Sequence, residues 1–194
     1  ILFIFISSTG IYGSYKTNRY SELDKVVPLT IHHKSKYEAE LFVQNHLNKY
    51  LILRTGWIFG GEKHHKKNFV YQRYLDAKKK NLIYSNNEQI GNPTYVLDLI
   101  KQIKILIDEN QIGVFNCVNQ AENVSRYDYV KKIIELFDLN CKVKEAPSDM
   151  FKRIAPVSNN ESALNHNLEL LKINCMGNWD DALQKYITYL KNNL

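Results

Sequence analysis

Three short, largely apolar runs separated by segments of helical period limit what this chain can become. Residues 1–6 are all apolar, residues 50–53 carry Tyr-Leu-Ile-Leu, and residues 113–118 read Gly-Val-Phe-Asn-Cys-Val. Runs this short and continuous suit strands buried on both faces, the pattern of a parallel sheet covered by helices. Between them, residues 35–47, 69–79 and 95–108 place apolar side chains at helical spacing. The stripe Val96, Leu99, Ile100, Ile103 and Ile107 predicts a helix with one buried face. Ser125 and Asp128 predict a capped helix start running to about Phe137. A strand is expected over 142–145 and a last helix from about Asn178. The fold class is therefore α/β, a Rossmann-type parallel sheet with a smaller α/β subdomain.

The chain starts at Ile1 rather than Met, directly on an apolar strand. This gives the expectation of a piece of a longer protein, its first strand buried and entered mid-course. No basic region precedes an apolar core as in a secretory signal, and no run reaches the ~18–20 residues of a membrane span. Cys117, Cys141 and Cys175 form no CxxC pair and are odd in number, which fits a reduced, cytoplasmic setting. The adjacent pairs His32-His33 and His64-His65 point apart with no third ligand at useful spacing, so no metal site is expected.

The net charge of +6 from 26 basic and 20 acidic residues suits an anionic partner. Its densest cluster is Lys63-His64-His65-Lys66-Lys67. Such runs are usually solvated surface, so neither a nucleic acid nor a membrane is expected.

Three segments carry chemistry. The first, Ser7-Ser8-Thr9-Gly10, ends a strand where open α/β sheets place ligand contacts, and its hydroxyls can donate to a substrate oxygen. A lone Ser/Thr turn is the plain alternative. The second, Pro28 to Glu40, sets Lys36 one helical turn beyond His32, on the same side of a helix. A lysine there can lower a neighbour's pKa and hold a ribose hydroxyl; alone, the segment reads as an exposed basic helix start. The third, Arg54-Thr55-Gly56-Trp57-Ile58-Phe59-Gly60 with a later Asn68-Phe69-Val70, offers an aromatic face to a sugar or nicotinamide ring. Most tryptophans are instead core.

In this order, the segments resemble the extended short-chain dehydrogenase/reductase superfamily, and most of all dTDP-4-dehydrorhamnose reductases and other proteins with that substrate-binding domain. The pattern includes P-x-x-x-Y-G-x-[ST]-K-x-x-x-E, R-T-x-W-[VI]-[YF]-G, D-x-Q-x-G-x-P-T-x-x-x-D-L and a terminal W-x-x-A-L. This chain answers with Pro28 to Glu40, Arg54 to Gly60, Asn87 to Leu99 and Trp179 to Leu183.

The resemblance implies reduction of a 4-keto-6-deoxy nucleotide sugar by NADP(H) or NAD(H), in nucleotide-sugar and surface polysaccharide synthesis. It implies Ser8, His32 and Lys36 as catalytic, and Ser7, Lys36 and Gly56 on the cofactor side. Thr9, Trp57, Asn68, Gln89, Pro93 and Arg153 fall on the substrate side. Residues 1–84 then correspond to what remains of the dinucleotide-binding domain, and 85–194 mainly to the substrate subdomain with interleaved segments. A homodimer is a further expectation.

Two departures stand out. The glycine-rich dinucleotide loop is absent, as if about three ~30-residue βα units preceded Ile1. His32 occupies the catalytic tyrosine position, and an imidazole reaches less far than a phenol. The alternatives are thus an epimerase or dehydratase of the same superfamily, or a catalytically impaired nucleotide-sugar-binding homologue. The R-P-x-N-S-x-L pattern also lacks its Arg-Pro in Ser158 to Leu164.

Overall fold

The computed structural model describes residues 1–151 and 157–194. β1 (Phe3–Ser8) leads into a 3₁₀ turn at Thr9–Tyr12 and a long loop, then α1 (Ile31–His46) and β2 (Tyr50–Thr55). β3 (Ile58–Phe59), α2 (Phe69–Lys79), β4 (Leu82–Asn86), β5 (Thr94–Tyr95) and α3 (Val96–Asp108) follow. The remainder holds β6 (Gly113–Asn116), α4 (Arg126–Phe137), β7 (Lys142–Ala146), α5 (His166–Leu170) and α6 (Trp179–Lys191).

Among the described residues, β1, β2 and β6 form one parallel sheet, with β2 central. The short pairs β3–β5 and β4–β7 are also parallel. β6 thus joins the first two strands although it lies late in the chain. β2 is buried from Leu51 to Thr55, as a central strand should be. Within the described residues β1 pairs only with β2, and Phe3 and Ile6 are 43% and 38% exposed.

α1 begins four residues earlier than its apolar spacing predicts. The Thr30 hydroxyl accepts from the His33 N–H, and this cap starts the helix before the first apolar position. α4 carries the expected capping box, Ser125 and Asp128 each accepting the other's backbone N–H. α3 corrects its predicted face: Leu99 and Leu106 are buried, while Ile100 and Ile107 are 54% and 42% exposed. Gln102 takes the buried position between them, donating to the Ile173 carbonyl and accepting from the Cys175 N–H.

One core, built on Phe59, Tyr95, Tyr129, Ile133, Leu183 and Tyr186, joins α4 and α6 to the β3–β5 pair. A second, built on Leu51, Leu53, Leu99, Leu106 and Phe115, packs α3 against the three-stranded sheet. Each large apolar side chain withdrawn from water contributes about 1.5–3 kcal/mol. Among the described residues, no helix is long and apolar enough to cross a membrane.

Candidate active site

The site lies at the carboxyl ends of β1 and β2, where the parallel register sets Ser7 beside Arg54 and Ser8 beside Thr55. The Ser8 hydroxyl accepts from the Gly10 N–H at 3.2 Å and so starts the 3₁₀ turn. The buried hydroxyls of Ser7 and Thr55 make no hydrogen bond among the described residues. Thr9 is buried, and its Oγ1 lies 2.5 Å from where a Cβ on Gly56 would stand. Only glycine lets the two strand ends approach this closely.

α1 delivers its basic residues to the same edge. Lys36 donates to the Ile6 carbonyl at 2.8 Å, its Nζ 4.8 Å above the Phe5 ring centroid. His32 is exposed, whereas His33 turns inward against Gly10. The His33 ring atoms fill the space where a Cβ on Gly10 would be. Burial holds the His33 pKa below its ordinary value, and His32 lowers it further, while Glu161 opposes both.

Beneath these residues, Arg54 meets Glu40 of α1 at 2.7 Å and the Tyr12 hydroxyl at 3.0 Å. Burial pushes the Tyr12 phenol up to about 12, against the favourable charge of Arg54. Burial also disfavours the Arg54 charge, but the Glu40 carboxylate and the Tyr12 hydroxyl together outweigh it and raise the guanidinium pKa.

Trp57 adopts a left-handed backbone, φ 46°, at the exit of β2. The Arg126 guanidinium lies 3.5 Å from the indole centroid. A Cβ on Gly91 would stand 2.5–2.9 Å from three indole carbons. Arg126 and Gly91 must occupy opposite faces, since on a shared face the guanidinium would be nearer to that Cβ position than the ring is. In this structure Gly91 and Arg126 cover the indole faces. The indole N–H donates to Glu161 Oε2 at 2.9 Å.

Glu161 sits on a strap tied across the site. Ser158 donates to the Gly13 carbonyl, the Asn159 N–H to Ser14, and Asn160 to the Lys16 and Asn18 carbonyls. The Glu161 N–H donates to the Ile90 carbonyl at 2.8 Å. The Gly91-Asn92-Pro93 turn is held by Asn92, which donates to the Asn119 carbonyl and accepts from the Ala163 N–H.

The structure thus brings Ser7, Ser8, Thr9, Lys36, Gly56 and Trp57 together at one edge. Asn68 is buried in the aromatic core, capping α2 through Tyr71 and donating to the Tyr186 hydroxyl. Gln89 and Pro93 are buried behind Trp57; the Gln89 carbonyl accepts from the Arg126 N–H. Arg153 lies outside the described residues. His33, Gly91, Arg126 and Glu161 were missed by sequence reasoning. His33 and Glu161 carried a visible signal, because they stand at the Gly of Y-G-x-[ST]-K and the Asn of R-P-x-N-S-x-L. Beyond Ile58, a cleft of about 550 Å³ is flanked by His64, His65, Lys67 and Phe69. No group of three or more His, Cys, Asp or Glu among the described residues is placed to hold a metal.

Comparisons with known proteins bear on the family and the fold. A dTDP-4-dehydrorhamnose reductase of Aggregatibacter actinomycetemcomitans is 32% identical over 139 residues, covering 69% of this chain and 45% of that protein. The crystal structure of a dTDP-4-dehydrorhamnose reductase from Clostridium acetobutylicum superposes with a TM-score of 0.93 at 28% identity, covering 98% of this chain and 66% of that one. The Bacillus anthracis dTDP-4-dehydrorhamnose reductase in complex with NADP gives 0.91 at 27% identity, covering 97% and 66%. This chain therefore spans about half to two thirds of the length of these relatives. The family model for the RmlD substrate binding domain matches residues 1–192, and the chain belongs to that family.

Proposed function

We propose that this chain forms the sugar-handling side of an NAD(P)H-dependent reductase acting on a 4-keto-6-deoxy nucleotide sugar of the dTDP type, in nucleotide-sugar and surface polysaccharide synthesis. The observation that carries the reading is the convergence of Ser8, Thr9, Lys36 and Trp57 at the carboxyl ends of two parallel strands. NADPH or NADH, when bound, supplies the hydride.

In this reading Ser8 and Thr9 donate hydrogen bonds to the sugar carbonyl oxygen, and His32, at the catalytic tyrosine position, gives that oxygen its proton as the carbon takes hydride from the nicotinamide. Lys36, with two ammonium protons beyond the one given to Ile6, holds the cofactor's ribose beside Ser7 and Gly56. The unpartnered Ser7 hydroxyl is consistent with a ligand close by. A sugar approaching Trp57 takes the place of the Arg126 guanidinium, and the cleft lined by His64, His65 and Lys67, with Glu62 beside them, receives the diphosphate. Asn68, Gln89 and Pro93 shape that pocket from behind. The exposed apolar face of α3, with Leu97, Ile100 and Ile107, would meet a second copy of the chain. A cytoplasmic location belongs to the same reading, supported by the three free cysteines.

Calorimetric titration with dTDP and an assay of NADPH consumption with the keto sugar test this. Binding that is weakened by Trp57→Ala supports the reading; no binding of dTDP by the folded chain overturns it. One observation favours a second reading, a binding homologue without turnover: His32, at the catalytic tyrosine position, is exposed. Turnover absent in the wild type and gained in His32→Tyr would select it.

A further inference from the structure

A cavity of about 270 Å³ opens beside the larger cleft and shares Gly61, Glu62 and Val96 with it. Three tyrosines line it. Tyr186 and Tyr189 stand three residues apart on one face of α6, with ring centroids 6.3 Å apart and planes inclined by 19°. Tyr95, at the end of β5, sets its ring centroid 5.6 Å from that of Tyr186. The Tyr186 hydroxyl donates to the Gly61 carbonyl at 2.8 Å and accepts from Asn68, which fixes the middle ring. Gly60 and Gly61 both have positive φ, 132° and 79°, and this turn carries Glu62 back to α6. There Glu62 Oε1 accepts from the Tyr189 hydroxyl at 2.8 Å, while Oε2 has no partner among the described residues. Tyr95 is 9% exposed, and its hydroxyl makes no hydrogen bond among the described residues.

We propose that this cavity is a second binding site, for a small protonated primary amine, with the ammonium at Glu62 and the Tyr95 hydroxyl and the alkyl stem among the tyrosine rings. The inference goes beyond the sugar reading and does not rest on it. Among the described residues that line the cavity, Glu62 alone is charged. Aromatic faces carry partial negative charge, so walls and rim together favour a cation over an anion. The neighbouring Lys63 turns its Nζ to the Asn193 carbonyl beyond the end of α6. Asp98 brings a second carboxylate to the region, since Asn119 accepts the Tyr95 N–H and donates to Asp98. A primary ammonium fits better than a quaternary one, because the free Glu62 oxygen and the Tyr95 hydroxyl can both accept an N–H. Pockets for drug-sized ligands span about 300–1,000 Å³, so this one suits a short alkyl chain. The net charge of +6 repels cations in general, which makes uptake here a local property.

The probe is n-butylammonium, with n-butanol as its uncharged counterpart and tetramethylammonium as a cation without an N–H. Ligand-observed NMR on the chain without dTDP should show saturable binding of n-butylammonium, its methylene protons shifted upfield by the tyrosine rings. Tetramethylammonium should bind more weakly, and n-butanol should not saturate. Glu62→Gln should weaken n-butylammonium binding by about tenfold or more, as the loss of a charge-assisted contact does. Tyr189→Leu should weaken it as well and reduce the upfield shift. Both side chains are exposed, so the fold is expected to survive, and an unchanged melting temperature checks this. n-Butanol binding as tightly as n-butylammonium, or an affinity unchanged in Glu62→Gln, overturns the inference. Nα-acetyl-lysine methylamide binding more tightly than n-butylammonium would assign the cavity to a lysine side chain of another protein and overturn the small-molecule reading. dTDP binding is scored separately: its failure sinks only the sugar reading, and failure of n-butylammonium sinks only this one.

Discussion

Arg54 of β2 presents its guanidinium to both carboxylate oxygens of Glu40 in α1, with Nη2 2.7 Å from Oε2 and side chains 6% and 0% exposed. The pair joins the helix that carries Lys36 to the strand that leads into Trp57. Taking two charges out of water is costly, and their mutual attraction offsets that cost only while both are present.

Glu40→Ala should therefore destabilise the fold by about 3–5 kcal/mol, because Arg54 is left charged and buried. The double variant Arg54→Met/Glu40→Leu should recover most of that loss. Urea denaturation of the three proteins checks this; a double variant no better than Glu40→Ala would show that the pair is not the source.

What sequence could reveal follows from how local each feature is. The Ser125–Asp128 box and the buried run Leu51–Leu53 are written within a few residues, and both stand in the structure as expected. The pairing of β1 with β2 is not local, since it depends on which strands come together. The β4–β7 pairing likewise joins Leu82 to Lys142 across the length of α3 and α4. Glu40 and Arg54 were visible as motif letters, yet a lone charge in sequence reads as a solvated one. Ser8, Lys36 and Trp57 were singled out by position, and the structure brings them to one edge of the sheet. That both faces of Trp57 are covered required Gly91 and Arg126, which come from two other segments.

Gly91→Ala would set a Cβ 2.5 Å from the Trp57 ring, too close for either group to stay. Overpacking of this kind costs about 1–3 kcal/mol. We expect a lowered melting temperature together with altered Trp57 emission and weaker dTDP binding. Unchanged emission in Gly91→Ala, with Trp179→Phe as background, would contradict the clamp.

The depressed pKa of His33 makes stability pH-dependent in one direction. Above its ordinary value of 6.5 the ring is neutral in both folded and unfolded chains, and the contribution is full. As pH falls from there through the lower folded value, the unfolded chain takes up the proton first and stability is lost. His33→Gln should flatten this limb of a plot of urea midpoint against pH, and Glu161→Gln should steepen it.

Glu22 gives the opposite slope at lower pH. Its Oε1 accepts from the Asn116 and Asn167 N–H groups at 2.8 and 3.3 Å, while its buried Oε2 has no partner among the described residues. Burial raises its pKa, and the hydrogen bonds to Asn116 and Asn167 oppose the rise without cancelling it. Below the ordinary value of 4.5 the acid is protonated in both states, and its contribution to stability is full. As pH rises from 4.5 through the raised folded value, the unfolded chain releases its proton first, and that contribution is lost. Glu22→Gln keeps an oxygen for both backbone donors and cannot titrate. Its urea midpoint should lack the fall with rising pH that the wild type shows in this window. Parallel profiles for the two proteins would mean that Glu22 is ionised at no cost in the fold.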